Sequence, residues 1–197
     1  MRRALAQLAR HSLVVSRPRG GWVVEARQRT QGFDRMQTFS QWAESIGRVP
    51  GGRIAHRDRR PADAREAHAL GVRLGEPLLA FTRVRTLDGA DVMVERSTWA
   101  PWVTPVIDVM PDDVDSTTRA LAREGIAVTT GSHRIEAVPA SSEDAELLGV
   151  RRSSPLLQVE RTIATREGRI VELGVDRYRS GAIAFEVTAG VSGRAIV

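Results

Sequence analysis

The 197-residue sequence contains no cysteine, has one tyrosine and is only 5% aromatic. Without cysteine the chain can form no disulfide framework, no thiolate nucleophile and no cysteine-based zinc site. No apolar run is long enough to cross a bilayer, and the first residues lack the pattern of a secretory signal. The sequence therefore predicts a cytoplasmic protein with no membrane partner. Its 42% hydrophobic residues suffice for one good-sized domain and a small appendage.

Positive charge is concentrated in the first part of the chain. Residues 1–60 contain 13 of the 29 basic residues, all of them arginine, but only 4 of the 24 acidic residues. A basic segment attracts polyanions because their counterions are released on binding, so nucleic acid is a candidate partner of this part alone. A solvated arginine surface that keeps the protein soluble explains the charge equally well.

The first 24 residues are predicted to form a helix followed by a hairpin. Met1, Leu5 and Leu8 share one helical face, and apolar residues flank the turn SRPRGG at 16–21. Such a unit buries too little apolar surface to fold alone. Residues 25–37 have little periodicity and are predicted to be a linker. The segment FSQWAESIG then predicts a short helix.

An internal repeat organises most of the remaining chain. The segments ADAREAHALGVRLGEPLLAFTRVRTLDG and SSEDAELLGVRRSSPLLQVERTIATREG align at an offset of 78, which pairs Gly71 with Gly149 and Arg83 with Arg161. Each copy predicts a short helix, a glycine stop and a β-hairpin. Because hairpins pair antiparallel, the sequence predicts an α+β fold with an antiparallel sheet flanked by helices, built from two similar halves.

Arg83 and Arg85 are the best candidates for a binding site in this sheet. They alternate on a predicted strand, so both guanidinium groups lie on one face, with Glu95 on the partner strand. Paired guanidinium groups suit phosphate or carboxylate ligands. A solvent-facing strand with polar alternation is the simpler interpretation of the same pattern.

The other polar candidates are compatible with structural roles. Ser116 lies near the start of a predicted helix, where its hydroxyl can cap the backbone or contact a ligand. Glu172 and Tyr178, on the last predicted hairpin, fit rim positions as well as a site. The four histidines lack metal-site spacing, and no P-loop, GxSxG or GxGxxG motif occurs. No metal, cofactor or catalytic residue is therefore predicted.

These patterns together resemble bacterial GntR-type transcription regulators of the HutC branch, in which a winged helix-turn-helix precedes a UTRA effector domain. MRRALAQLARHSLVVSRPRGGWVV is similar to the end of the recognition helix and the wing. The UTRA pattern is followed by FSQWAESIG, ALGVRLGEPLLAFTRVRTLDGADVMVERS, DSTTRAL, LLGVRRSSPLLQVERTIATREGRIVE and DRYRSG. The resemblance implies a partial winged helix at 1–24, a linker at 25–37 and a UTRA domain at 38–190.

The resemblance also implies partners and site residues. It implies a chorismate-lyase-like sheet, a homodimer, operator DNA, and a small anionic effector such as a phosphorylated sugar or an organic acid. Carried over by position, the expected effector contacts are Ser40, Arg83, Arg85, Glu95, Ser116, Thr118, Glu172 and Tyr178. The expected DNA contacts are Arg2, Arg3, Arg17 and Arg19.

The leading hypothesis is an effector-responsive transcription regulator, in the first instance a repressor, and not an enzyme. An enzyme on the same chorismate-lyase-like scaffold and a stand-alone ligand sensor remain open alternatives. The base-contacting start of a recognition helix would lie before Met1. Residues 1–197 are therefore expected to bind DNA weakly and with little specificity.

Overall fold

The N-terminal segment is described in part. The structure, a computed structural model, describes residues 14–17, 21–24, 30–32, 37–112 and 116–186, with side chains for 37–112 and 116–185. Val14–Arg17 (β1) pairs antiparallel with Gly21–Val24 (β2), in agreement with the predicted hairpin. The helix predicted before β1, with Arg2 and Arg3, lies outside the described residues, as does Arg19. Arg17 is the last residue of β1, and its side chain is not among those described.

Six strands form the central sheet, and every neighbouring pair is antiparallel. Across the sheet they lie in the order β4 (Pro50–Pro61), β5 (Pro77–Leu87), β6 (Ala90–Trp99), β9 (Ile170–Arg179), β8 (Pro155–Thr165) and β7 (Val128–Pro139). The predicted antiparallel sheet is confirmed. The edge strands β4 and β7 are not indicated by the sequence, because both are mostly polar and interrupted by glycine.

Five short helices occur in the described part of the chain, namely α1 (Phe39–Ser45), α2 (Ala64–Leu70), α3 (Thr104–Asp108), α4 (Thr117–Arg123) and α5 (Ser142–Leu148). α2 and α5 both begin with a capping box and end at Gly71 and Gly149, whose positive φ angles of 67° and 62° suit glycine. These are the glycine stops predicted from the repeat. None of the described helices is long and apolar enough to span a membrane.

The two copies of the repeat form equivalent halves of the sheet. β4, α2 and β5 recur 78 residues later as β7, α5 and β8. The register of the second hairpin is shifted by one residue relative to that of the first. Arg83 lies opposite Glu95, whereas its repeat partner Arg161 lies opposite Gly174, one residue beyond the position that the offset of 78 gives. β6 and β9 pair at the centre, where Arg96 is opposite Val175. A pseudo-twofold axis therefore passes between these two strands.

A short strand within the predicted linker pairs with the last strand of the described chain. Thr30–Gly32 (β3) pairs in parallel with Ala184–Glu186 (β10), outside the six-stranded sheet. The sequence interpretation of 25–37 as a linker does not anticipate this strand. The segment that leads into α1 is thus attached to the strand that follows β9.

The two faces of the sheet are covered differently. Helices α2 and α5 pack on one face, where Leu78 and Leu148 lie in separate apolar clusters. On the other face, α1 covers one end through Trp42, while α3 and α4 cover the other end through Ile107 and Leu121. No described helix covers the polar middle of this second face, between the two apolar clusters, and this middle holds the candidate site.

Candidate functional site

A cavity of about 340 Å³ opens on the uncovered middle of the sheet. This volume lies at the small end of the range of about 300–1,000 Å³ that is usual for small-molecule sites. The cavity is lined by seven of the eight residues predicted to contact an effector, namely Arg83, Arg85, Glu95, Ser116, Thr118, Glu172 and Tyr178. The eighth, Ser40, is fully buried behind the lining, where its Oγ accepts a 2.8 Å hydrogen bond from Nη2 of Arg85.

Six charged side chains meet in the cavity, and their formal charges balance. The three arginines are Arg83, Arg85 and Arg161, and the three carboxylates are Glu95, Glu172 and Asp176. The side chains of all six are at most 15% exposed. Because a buried charge is costly unless it is paired, the pairing of each group determines what the cavity can bind.

Arg161 is paired with all three carboxylates. Its Nη1 donates to Oδ2 of Asp176 at 2.7 Å, and its Nη2 donates to Oε1 of Glu172 at 2.7 Å and to Oε1 of Glu95 at 3.0 Å. Ser97 joins the network by donating from Oγ to Oε1 of Glu172 at 2.5 Å. Burial disfavours the charged form of Arg161, but the three carboxylates outweigh that effect and raise its pKa. Both Nη atoms of Arg161 are therefore engaged by the carboxylates.

Gly174 makes this arrangement possible. A Cβ atom at residue 174 would lie 2.5 Å from Nε and 2.8 Å from Cγ and Cζ of Arg161. Such distances are shorter than any normal contact, so a side chain here would displace the arginine. The absence of a side chain at 174 lets Arg161 lie across β9 and reach Glu95 and Ser97 on β6.

Arg83 is buried without a carboxylate partner among the described residues. Only 2% of the residue is exposed. Among the described residues its guanidinium makes one long hydrogen bond, from Nη1 to Oγ1 of Thr117 at 3.5 Å, and lies 5.3 Å from the ring centre of Phe81. Its Nε has no hydrogen-bond acceptor there. Arg83 thus presents positive charge and unused donors to the cavity.

Arg85 is held by helix α1 and by a carboxylate. Besides its bond to Ser40, its guanidinium lies 4.7 Å from the ring centre of Phe39, and its Nε lies 3.7 Å from Oε2 of Glu95. Burial is the main cause that lowers its pKa. The same arginine therefore contacts the cavity and the first turn of α1.

The three carboxylates differ in how readily they ionise. Burial, opposed by Arg161, raises the pKa of Asp176 to about 7, and burial also raises the pKa of Glu172. Burial acts on Glu95 as well, but the positive charges of Arg161, Arg85 and Arg83 outweigh it and lower the pKa of that carboxyl. Of the three carboxyl groups, Glu95 therefore favours the ionised form most strongly, whereas Asp176 changes its protonation state near neutral pH.

Ser116 caps a helix, as the sequence allows, and also lies on the cavity wall. It is the N-cap of α4, and its Oγ accepts a hydrogen bond from the backbone N–H of Arg119 at 3.3 Å. The residue is buried and lines the cavity with Thr117 and Thr118. Within the described ranges, no group of histidine, aspartate and glutamate side chains could hold a metal ion.

Two residues of the cavity were missed as site residues by sequence reasoning. Arg161 is identified in the sequence only as the repeat partner of Arg83. Asp176 alternates on β9 with Glu172 and Tyr178, so the period of two was a signal that all three share a face. Glu172 and Tyr178 are 4% and 5% exposed, which excludes the alternative that they are rim residues.

Known proteins share this architecture. The family model described as the UTRA domain matches residues 45–184. The HTH-type transcriptional regulator Rv0792c of Mycobacterium tuberculosis is 29% identical over 192 residues, which cover 95% of this chain and 70% of that protein. The HTH-type transcriptional repressor PhnF of Mycolicibacterium smegmatis is 26% identical over 198 residues, which cover 100% of this chain and 81% of that protein.

A solved structure agrees with these similarities at the level of the fold. The crystal structure of PhnF from Mycobacterium smegmatis superposes with a TM-score of 0.78 at 24% identity, and the match covers 97% of this chain and 84% of that one. The family match covers the six-stranded sheet, helices α2 to α5 and most of the residues that line the cavity. The chain therefore belongs to the UTRA domain family.

Proposed function

We propose that the protein is an effector-responsive, DNA-binding transcription regulator, with a UTRA domain that binds a small anionic metabolite. The observation that carries the ligand assignment is Arg83, a cation that is 2% exposed, lines the cavity and has no carboxylate partner in the described part of the chain. The related proteins named as a transcriptional regulator and a repressor support the regulatory role, and favour repression.

The proposed anion lies against Arg83 and Arg85. A buried guanidinium without a counter-ion is unfavourable, and an anionic group of the effector would supply that counter-ion. The hydroxyls of Ser116 and Thr118 on the same wall are suited to the remaining oxygens of a phosphate or carboxylate. Glu95, Glu172 and Tyr178 would contact the rest of the effector. A phosphorylated sugar or an organic acid has the required charge.

Two contacts support a connection between the cavity and the proposed linker at 25–37. Arg85 binds Ser40 in the first turn of α1, directly after the linker. Tyr178 packs edge-on against Phe185 of β10, with ring centres 5.8 Å apart, and β10 pairs with β3 inside the linker. An effector that draws Arg85 or Tyr178 toward itself would change both attachments and so the position of the DNA-binding segment.

We further propose the arrangement that the family resemblance implies. Residues 1–24 form part of a winged helix, where Arg2, Arg3, Arg17 and Arg19 contact DNA phosphates. Residues 38–190 form the effector domain, and two copies associate so that their DNA-binding segments lie side by side. The protein acts in the cytoplasm. The names of the relatives give no support to the alternative of an enzyme on this scaffold.

DNA binding and its release test this function. Duplexes tiled across the DNA upstream of the gene are titrated with the 197-residue protein, and binding is followed by fluorescence anisotropy at several salt concentrations. We expect salt-sensitive binding that phosphorylated sugars or organic acids weaken, and an Arg83→Ala variant that binds the same DNA but no longer responds. No binding to any duplex, or an unchanged response in Arg83→Ala, would contradict the proposal.

A further inference from the structure

We propose that two copies of the protein associate through the outer edge of β7, by antiparallel pairing of the two β7 strands about a twofold axis at Ile135. This inference rests on the proposed function, in which two copies associate, and it assigns the surface and the register of that association. The sheet of one copy then continues into the sheet of the other.

The outer edge of β7 offers backbone hydrogen-bonding groups that the sheet does not use. β7 is the last strand of the six-stranded sheet, and no strand of the described chain pairs with its other side. Nine of its 12 residues are exposed. Its register with β8 is regular from Thr130 to Pro139, after an irregularity between Val128 and Thr130. A long, regular edge strand is a template for pairing with another chain.

The edge strand β4 at the other side of the sheet is less suited to such pairing. It begins with Pro50, Gly51 and Gly52, and its register with β5 is interrupted near its middle, between Ile54 and His56. Proline, glycine and bulges all weaken strand pairing at an edge. Pairing of β7 with β4 of another copy would also extend into open fibres, whereas pairing of β7 with β7 closes as a dimer.

The charges on β7 select the register. Side chains opposite each other in a sheet lie on the same face, so the twofold axis must pass through a residue and not between two residues. An axis at Arg134 or at Glu136 would place like charges opposite each other. An axis at Ile135 places Arg134 opposite the partner's Glu136, and Glu136 opposite the partner's Arg134. Opposite charges at such positions stabilise strand pairing, and like charges destabilise it.

Ile135 is the apolar residue at the centre of this edge. It is 40% exposed, although it is a large β-branched residue in a polar stretch of the strand. At the twofold axis it lies opposite its own copy, so the pairing removes apolar surface of both copies from water. The charge pairs and the apolar contact thus favour the same register.

The proposed pairing also fits the position of the cavity. Gly131 and His133 line the cavity from β7. A twofold axis perpendicular to the sheet keeps the cavity faces of both copies on one side, and α1, which follows the linker, packs on that face. Both linkers therefore leave the dimer on the same side, as the proposed side-by-side DNA-binding segments require. The outer wall of each cavity lies at the interface.

The absence of cysteine from the chain makes the register directly testable. Ile135→Cys places two thiols opposite each other with Cα atoms about 5 Å apart, a distance that suits a disulfide. Ala137→Cys is the matched control, because it is exposed on the same face but lies about 13 Å along the strand from its own copy. After mild oxidation, non-reducing electrophoresis should show mostly covalent dimer for Ile135→Cys and almost none for Ala137→Cys.

A mixture of two variants tests the register a second time. The axis at Ile135 places His133 opposite the partner's Ala137. His133→Cys and Ala137→Cys should therefore remain monomeric under denaturing, non-reducing conditions when each is oxidised alone. An equimolar mixture of the two should give covalent heterodimer.

Charge reversal tests the contribution of the ion pairs. Arg134→Glu should raise the dissociation constant of the dimer about tenfold, because carboxylates then face each other at two places. Adding Glu136→Arg restores the complementarity and should restore the affinity. Arg73→Glu, which changes an exposed arginine before β5, is the control for net charge and should associate like the parent. Analytical ultracentrifugation over a range of concentrations measures all four proteins.

The outcomes separate this inference from the proposed function. A parent protein that is monomeric at all concentrations contradicts the association itself, and with it this inference. A dimeric parent overturns the role of β7 alone if Ile135→Cys cross-links no better than Ala137→Cys, or if a folded Arg134→Glu associates like the parent. If Arg134→Glu fails to fold, the cysteine variants still decide the inference.

Discussion

Arg83 and Arg161 occupy equivalent positions in the two halves of the sheet, but their surroundings are opposite. Arg161 is bound by three carboxylates, whereas Arg83 has none within ion-pair distance among the described residues. Both are buried in the same cavity. The repeat therefore supplies two arginines, one of which organises the cavity while the other is left for a ligand.

The difference originates on the central strands β6 and β9. The register makes Met93, Glu95 and Ser97 of β6 equivalent to Glu172, Gly174 and Asp176 of β9. At two of these three positions the second half has a carboxylate where the first half does not. At the third it has glycine, which lets Arg161 cross the strand. A few residues on the central strand pair thus give two related arginines different roles.

Replacing each arginine by alanine in turn is the strongest test of the difference between Arg83 and Arg161. Arg161→Ala should lower the free energy of unfolding by about 3–5 kcal/mol, because it leaves buried carboxylates without their common partner. Arg83→Ala should cost about 1 kcal/mol or less, because no carboxylate among the described residues forms an ion pair with it. Urea denaturation at pH 8 measures both. Similar losses for the two variants would mean that the two arginines do not differ as described.

A methyl group at Gly174 tests how Arg161 reaches across the sheet. Gly174→Ala should destabilise the protein by about 1–3 kcal/mol, since the new Cβ overlaps the arginine. Alanine is normally preferred to glycine inside a strand, so even the sign is informative. In an Arg161→Ala background the same change should cost much less. An equal cost in both backgrounds would exclude the proposed contact.

The contact between Arg85 and α1 can be weakened without touching either repeat arginine. Ser40→Ala should cost about 1 kcal/mol, because the buried guanidinium of Arg85 loses a hydrogen-bond acceptor. Ser45→Ala, near the end of the same helix, is the control, since within the described part of the chain the Ser45 side chain bonds only the backbone carbonyl of Trp42. Denaturation of the two variants gives the comparison, and a larger loss in Ser45→Ala would contradict it.

The last prediction concerns how stability depends on pH. Burial raises the folded-state pKa of Asp176 to about 7, whereas an aspartate in the unfolded chain has a pKa of about 3.9. Between these values the folded state binds more protons than the unfolded state, so this residue makes stability fall as pH rises from about 4 to 7. Asp176→Asn cannot titrate, so its free energy of unfolding should rise relative to the parent over that interval. Parallel curves from urea denaturation would contradict the assigned pKa.

The sheet is predictable from the sequence wherever its strands are apolar. The offset of 78 and the glycine stops identify both repeats and their hairpins before any coordinates are considered. β4 and β7 are not predictable in the same way, because edge strands are stabilised by backbone pairing on one side and need little apolar patterning. Their equivalence by the same offset becomes visible only when the repeat is extended upstream of Ala64 and Ser142.

The candidate site is predictable in its residue types and not in its pairing. Alternation on β5 places Arg83 and Arg85 on one face, but the sequence around them does not indicate which carboxylate each arginine contacts. Arg161 reaches Glu95 across β9 because of a glycine on a third strand. Contacts of this kind depend on strand order and register, which a single sequence does not specify.

The division of roles between Arg83 and Arg161 is tested most directly by calorimetric titration of inorganic phosphate into the parent and Arg83→Ala. Arg134→Ala, which removes an exposed arginine of β7, is the control for net charge. The account predicts that Arg83→Ala loses phosphate binding by about tenfold or more, while Arg134→Ala binds like the parent. Equal phosphate affinity in the parent and Arg83→Ala would show that Arg83 is not the anion-binding arginine.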